Sequence, residues 1–242
     1  MNIGKTMIFT LVVCFSLTAV RAQQPTVVHD PNAQVRTVAD FHGIKVSSGI
    51  HLFLNQGSSN TVAVSASDAE SRDKIRTEVK DGVLHIYFEN QGWSFRDLTG
   101  RELRAYVSCS QLDNLQVSSG AHCDVDGTLK SSNLALDFSS GARFTGKVEA
   151  GDLKIEENSG AHSTISGTAG RLKAEASSGS HLYAYDLRAE ECSVEASSGG
   201  RVDITVQKSM AASASSGGHI HYQGAGSISE VHTSSGGSVS KQ

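Results

Sequence analysis

Leu134-Ala135-Leu136-Asp137-Phe138-Ser139-Ser140-Gly141-Ala142-Arg143-Phe144 is the stretch that decides the fold of this chain. Every second residue of a β-strand points to the same side, so Leu134, Leu136 and Phe138 share one face before the glycine. Ala142 and Phe144 share one after it. The arrangement recurs with its glycine at Gly120, Gly141, Gly160, Gly179, Gly199, Gly217 and Gly236, at gaps of 21, 19, 19, 20, 18 and 19 residues. A period of this size means stacked structural units.

Working outward, Leu153 and Ile155, then Leu172, Ala174 and Ala176, then Cys192, Val194 and Ala196 take the alternate places before later glycines. Cys123, Phe144, Leu182, Val202 and Ile220 take the matching slot after them, with polar residues between. Both flanks read as strands with one buried side. No Asn-Gly turn joins them as hairpins, so coiling each unit onto the next is the better solution. The expectation is an all-β chain whose C-terminal part is a β-solenoid of Ser-Ser-Gly repeats, its seven turns stacked at about 4.8 Å into a column roughly 30 Å long. Glycine suits the corner because it accepts positive φ, and the serines are able to bond the neighbouring backbone there. A flexible Ser/Gly linker would show irregular spacing and few aliphatics. Both prolines, Pro25 and Pro31, precede the strands, as ladder hydrogen bonding requires. An earlier copy, Ser47-Ser48-Gly49, stands 71 residues upstream of the Gly120 corner. It reads as the same local turn used once before a differently built segment, not as an adjacent turn.

Residues 36–108 read as a β-rich N-terminal section with strands at Ile44 to Val46, Ile50 to Leu54, Thr61 to Ser65 and Val83 to Phe88. Asp81-Gly82 is a hairpin signal, and Asp68 is placed to cap a short helix running to about Ile75. This section is expected to cover one end of the column and block edge-to-edge pairing. The polar residues Gly237 to Gln242 would blunt the other. The solenoid is assigned to 109–242, a linker to 23–35 and a signal peptide to 1–22.

That last assignment rests on Lys5 ahead of the apolar stretch Met7 to Val20, followed by Val20-Arg21-Ala22. The stretch is shorter than the roughly 20 residues a membrane-spanning helix needs. Export across the inner membrane, to the cell surface or periplasm of a Gram-negative bacterium, is the expected route. Cleavage leaves 19 basic and 25 acidic residues, a balance with no electrostatic footprint for nucleic acid. Cys109, Cys123 and Cys192 remain. An odd number makes no complete disulfide framework; Cys109 with Cys123 is the nearest pair, and buried free thiols are the alternative.

Gly49-Ile50 opening a β section, Asp81-Gly82 in its hairpin and the train of Ser-Ser-Gly-Ala and Ser-Ser-Gly-Gly turns together resemble the putative auto-transporter adhesin, head GIN domain family, over about residues 36 to 240. The resemblance implies an extracytoplasmic bacterial protein, often from Bacteroides-like organisms, with a β-helical fold and a role in surface adhesion. The chain has Gly49-Ile50-His51 where the domain's name leads one to expect asparagine, and its sequence shows no translocator barrel.

Two residues after successive repeat glycines stand His51, His122, Arg143, His162, His181, Arg201 and His219, then Ser238. Alternation points them outward, as a surface ladder. Stacked imidazoles such as His162 with His181, or His219 with His221, are candidates to share a divalent metal, but a line of ligands does not converge on a point as a zinc site demands. Protonation near pH 6.5 beside Arg143 and Arg201 is a second reading, and a polar stripe on a solvent face is the third. Asp124, Asp137, Asp203 and Glu195 are expected as solvated strand residues, since these gaps leave no room for loops to wall a cleft. Trp93 and Phe95, between Asn90 and Arg101, are candidate partner anchors on a surface turn. No catalytic residue, cofactor or metal is expected. The reading is an adhesin-like binding protein that recognises a glycan or extracellular protein through solenoid faces or this loop. The alternatives are an envelope scaffold that self-associates or binds other envelope proteins, a possible homo-oligomer, and, less readily, a polysaccharide-active enzyme.

Overall fold

The computed structural model describes residues 30–89 and 102–242. The chain runs through β1 (Gln34–Arg36), β2 (Gly43–Val46), β3 (His51–Gln56), β4 (Thr61–Ser65), the short helix α1 (Ala69–Asp73), β5 (Ile75–Lys80), β6 (Val83–Phe88), β7 (Arg104–Cys109) and β8 (Asn114–Val117). Long runs follow: β9 (His122–Phe138), β10 (Arg143–Glu157), β11 (His162–Ala176), β12 (His181–Ala196) and β13 (Arg201–Ala214), then β14 (His219–Gln223), β15 (Ser227–Thr233) and β16 (Ser238–Lys241). Each long run pairs in parallel with the next, bringing Leu134, Leu153, Leu172, Cys192 and Met210 into one column. The result is the expected all-β solenoid, of about seven turns.

One sharp corner closes each turn. At Ser118-Ser119-Gly120 the second serine and the glycine have φ of 53° and 72°, and the Ala121 N–H donates to the Ser118 carbonyl at 3.1 Å, a type I′ turn. A Cβ on Gly120 would meet open space, so glycine is favoured there by φ alone. Main-chain groups tie corner to corner: the Gly120 N–H donates to Ser140 O at 2.9 Å and the Ser139 N–H to Val117 O at 3.0 Å. The opposite bend lies inside the long runs, at register shifts such as Thr164 to Gly167. Gly167, at φ 117°, sits so close to the Val148 carbonyl oxygen that a Cβ would collide with it. Each run thus contributes to a first face after its corner and to a second face before the next.

The interior stacks like on like. Leu136, Ile155, Ala174, Val194 and Ala212 form a column beside the leucine one, and Phe138 and Phe144 stack across the interior at one corner with ring centroids 4.8 Å apart. Polar side chains interrupt the apolar stack beside the Asn158-Ser159-Gly160 corner. Glu157 stands between Phe138 and Ala176, and Ser163 between Phe144 and Leu182. Both are buried, and the Ser163 hydroxyl donates to Glu157 Oε1. Cys109, Cys123 and Cys192 are free and buried.

The expectation about Ser47-Ser48-Gly49 is corrected by the structure. Gly49 N–H donates to Ser119 O, Ser118 N–H to Val46 O and His122 N–H to Ile50 O, each at 3.0 Å, so this corner stacks directly on the one at 118–120. The chain makes the β2–β3 turn first and then travels to the end of the column, where β4 and β5 lie antiparallel to β7 and β6. It returns to lay β6 and β7 against the near side of β2 and β3, and places β8 and β9 on their far side. Chain order is not stacking order, which hides the contact. Asp68 accepts from the Ser71 N–H at 2.8 Å and caps α1; Asp81-Gly82 joins β5 to β6 with both φ values positive. At the other end β16 pairs with β14 alone, and Val231 is left 45% exposed.

Candidate functional site

Parallel register converts the repeated position after each glycine into a row across the first face. Arg104, His51, His122, Arg143, His162, His181, Arg201, His219 and Ser238 stand opposite one another, strand by strand. Arg143, His162, Arg201 and His219 are exposed and the other histidines half-buried. Arg104 escaped sequence reasoning because β7 carries no Ser-Ser-Gly corner to mark it.

Two residues further along lies a second row: Tyr106, Phe53, Asp124, Thr145, Thr164, Tyr183, Asp203, His221 and Ser240. The rows are tied diagonally. His51 Nε2 lies 2.7 Å from Asp124 Oδ2, and His181 Nε2 2.8 Å from Asp203 Oδ2. Because an ionised carboxylate only accepts, the imidazole nitrogen carries the hydrogen in each pair. Asp203 also accepts from Arg201 Nε at 3.0 Å to both oxygens and from His221 Nδ1 at 3.0 Å, with the Tyr185 hydroxyl at 3.5 Å.

Asp203 is therefore not the solvated strand residue expected. It is 1% exposed, because Arg201 from its own strand and His181, Tyr185 and His221 from the strands on either side close over it. Burial opposes its charge, but the bonds from Arg201, His181 and His221 outweigh that and hold its carboxyl below the ordinary range. Asp137, half-buried on the second face, is pushed up by burial and by Glu156 beside it; Asp124 and Glu195 are exposed. His122 is pushed down by burial, Arg143 and His51.

His162 and His181 meet edge to face with centroids 6.3 Å apart, and His219 and His221 stack at 6.4 Å. Among the described residues no group of three or more His, Cys, Asp or Glu converges so as to hold a metal ion. Trp93 and Phe95 lie outside the described residues. Two other aromatics do face outward together: Phe53 and Tyr106 stack with centroids 5.2 Å apart and planes 14° apart. No periodicity flags the pair, since the two residues are far apart in sequence.

A thin column that aligns side chains from many turns on one open face defines a repeat-built scaffold of the kind that presents an extended surface. The family model described as "Putative auto-transporter adhesin, head GIN domain" matches residues 40–226, and the chain belongs to that family. Solved structures share the fold at low identity. A putative adhesin from Bacteroides fragilis is 16% identical with a TM-score of 0.75, covering 86% of this chain and 95% of that one. A putative adhesin from Parabacteroides merdae is 16% identical with a TM-score of 0.66, covering 87% and 95%. A putative lipid binding protein from Parabacteroides distasonis is 17% identical with a TM-score of 0.63, covering 88% and 98%. No curated protein matches the sequence. No helix among the described residues is long and apolar enough to cross a membrane.

Proposed function

We propose that this protein is an exported, adhesin-like binding protein that holds an external glycan or protein against the first face of its solenoid. One observation carries the reading: the in-register row from Arg104 to His219, pinned to the second row by Asp124 and Asp203. These side chains come from eight strands yet are held by a rigid ladder, so little conformational entropy remains to be lost when a partner docks. Many shallow contacts repeated along one axis suit multivalent engagement. Arg143 and Arg201 are the exposed permanent cations of the row and its natural anchors.

The test is capture of the purified exported protein on an array of glycans and immobilised collagen and fibronectin at pH 7.5 and 5.5. Saturable binding that weakens in an Arg143→Ala/Arg201→Ala variant supports the reading. Silence in folded protein overturns it. Silence would favour a second reading, a self-associating envelope scaffold, for which the half-exposed Val231 and the one-sided pairing of β16 speak.

A further inference from the structure

Toward the covered end of the column the second outward row continues across strands that lack the Ser-Ser-Gly repeat. Tyr106 on β7 is opposite Ala63 on β4, and Ala63 is opposite Val35 on β1. The row therefore reads Phe53, Tyr106, Ala63, Val35, and Val35 is 78% exposed. Side chains two strands apart stand roughly 9–10 Å from one another. Ala63, only 9% exposed, is thus a low rung at the floor of the trough between the Tyr106 ring and Val35.

The neighbouring outward row is short and polar: Asp126, Asn55, Ser108 and Thr61 stand opposite one another on β9, β3, β7 and β4. Among the described residues the side chains of Asn55, Thr61 and Asp126 have no hydrogen-bond or ion-pair partner. Between the two rows lies a trough of about 410 Å³ lined by residues of both, within the roughly 300–1,000 Å³ of small-ligand sites. The Tyr106 ring is fixed on the apolar wall, its hydroxyl donating to Asp30 Oδ2 at 2.9 Å while Phe53 stacks on it.

Resting on the binding reading above, we infer that this trough is a saccharide subsite, taking a neutral pyranose ring with its apolar C–H face against Tyr106 and Phe53 and its hydroxyls toward Asn55, Ser108, Thr61 and Asp126. The two walls decide the class of ligand. An acyl chain would leave the polar wall desolvated and unbonded, at a cost of roughly 1–3 kcal/mol per group. An anionic ring would face Asp126 and Asp30. A peptide strand docks on a free sheet edge; that edge is β1's, at the rim beyond Val35, whereas the floor of the trough is built by β3, β4 and β7, each paired on both sides. A sugar ring has one apolar face and a hydroxylated rim, which matches both walls.

The experiment uses the same array, printed with neutral and acidic glycans beside collagen and fibronectin, with Ala63→Phe to fill the low rung and Phe53→Ala and Asn55→Ala to remove one element of each wall. Arg171→Ala, on the second face, is the control, and circular dichroism checks that each variant is folded. The expected result is binding of neutral glycans that falls roughly tenfold or more with Ala63→Phe and with Phe53→Ala, falls with Asn55→Ala, and is unchanged by Arg171→Ala. Neutral-glycan binding undiminished in Ala63→Phe overturns the subsite. So does capture of collagen or fibronectin alone, or of acidic glycans alone, when it is sensitive to Arg143→Ala/Arg201→Ala; that result leaves the first-face reading standing. A silent array overturns both.

Discussion

Glu157 provides a quantitative test of the interior. It occupies an apolar column between Phe138 and Ala176 and is 2% exposed. Oε1 accepts from Ser163, while Oε2 has no partner among the described residues. Burial pushes its carboxyl from 4.5 up to about 7, and the Ser163 bond offsets only part of that. In the unfolded chain the group ionises near 4.5; in the column it resists until about 7. Stability is therefore highest below the unfolded value, where both states are protonated, and falls as pH rises toward the folded one. The full loss is about 3 kcal/mol, of which roughly 2.5 kcal/mol falls between pH 5 and pH 8. Glu157→Gln keeps the shape and the acceptor but abolishes the titration. Whatever constant cost the amide adds is the same at both pH values and cancels in the comparison. Thermal unfolding of wild type and variant at pH 5 and pH 8 should show the variant gaining on wild type by about 5–10 °C at the higher pH, given about 2–4 °C per kcal/mol for a chain of this size. A difference between the two proteins that is the same at both pH values would refute the reasoning, because Glu157 would then ionise alike in the folded and unfolded chains.

Other consequences are as direct. Gly160→Ala places a side chain into open space at φ 69° and should cost about 1–2 kcal/mol through backbone strain alone; Gly167→Ala adds a collision with Val148 and should cost clearly more, so equal shifts in melting temperature would contradict the packing at that bend. Asp203→Ala leaves Arg201, His181 and His221 without their shared acceptor and should cost about 1–3 kcal/mol at pH 7 in denaturant melts. Because its folded pKa is lowered, that contribution is present above the ordinary carboxylate range and fades as pH falls through the folded value, so the gap between wild type and variant should close in acid. Burial pushes the thiols of Cys109 and Cys192 up to about 11 and about 12 and that of Cys123 further still. All three should resist iodoacetamide at pH 8 in native protein and react after denaturation, as read by mass spectrometry.

The solenoid was legible because alternation and period are both local properties of the sequence. Leu134, Leu153 and Leu172 announce a shared column once their spacing from each glycine is compared. The same comparison would have exposed the polar pair: Glu157 stands three residues before its glycine, as Phe138 does, and Ser163 three residues after it, as Phe144 does. The signal is faint, because a single Glu and a single Ser interrupt places that are otherwise mostly apolar from turn to turn. Other features needed three dimensions. The burial of Asp203 depends on His181 and His221, which lie a full turn away on either side. The stacking of Ser47-Ser48-Gly49 on the next corner, and the meeting of Phe53 with Tyr106, follow from β6 and β7 being inserted out of chain order. No spacing rule encodes that.

The covered end of the column does more than protect an edge. A parallel ladder left open there would expose the unpaired groups of β7 and β6, and the antiparallel strands β4 and β5 satisfy them. Reversal of strand direction leaves the alternation of inward and outward residues intact, so β4 and β1 extend the outward rows even though they end the repeat. Freed from the requirement to match a repeating neighbour, those strands carry Ala63 and Val35 beside Tyr106, where the regular turns carry threonines, Tyr183 and Asp203. The repeat supplies a long face of mostly polar rows, and its termination supplies a place where the small and apolar side chains of Ala63 and Val35 replace them. If a ligand is recognised by shape rather than by charge alone, the cap is where the fold has room to build the shape.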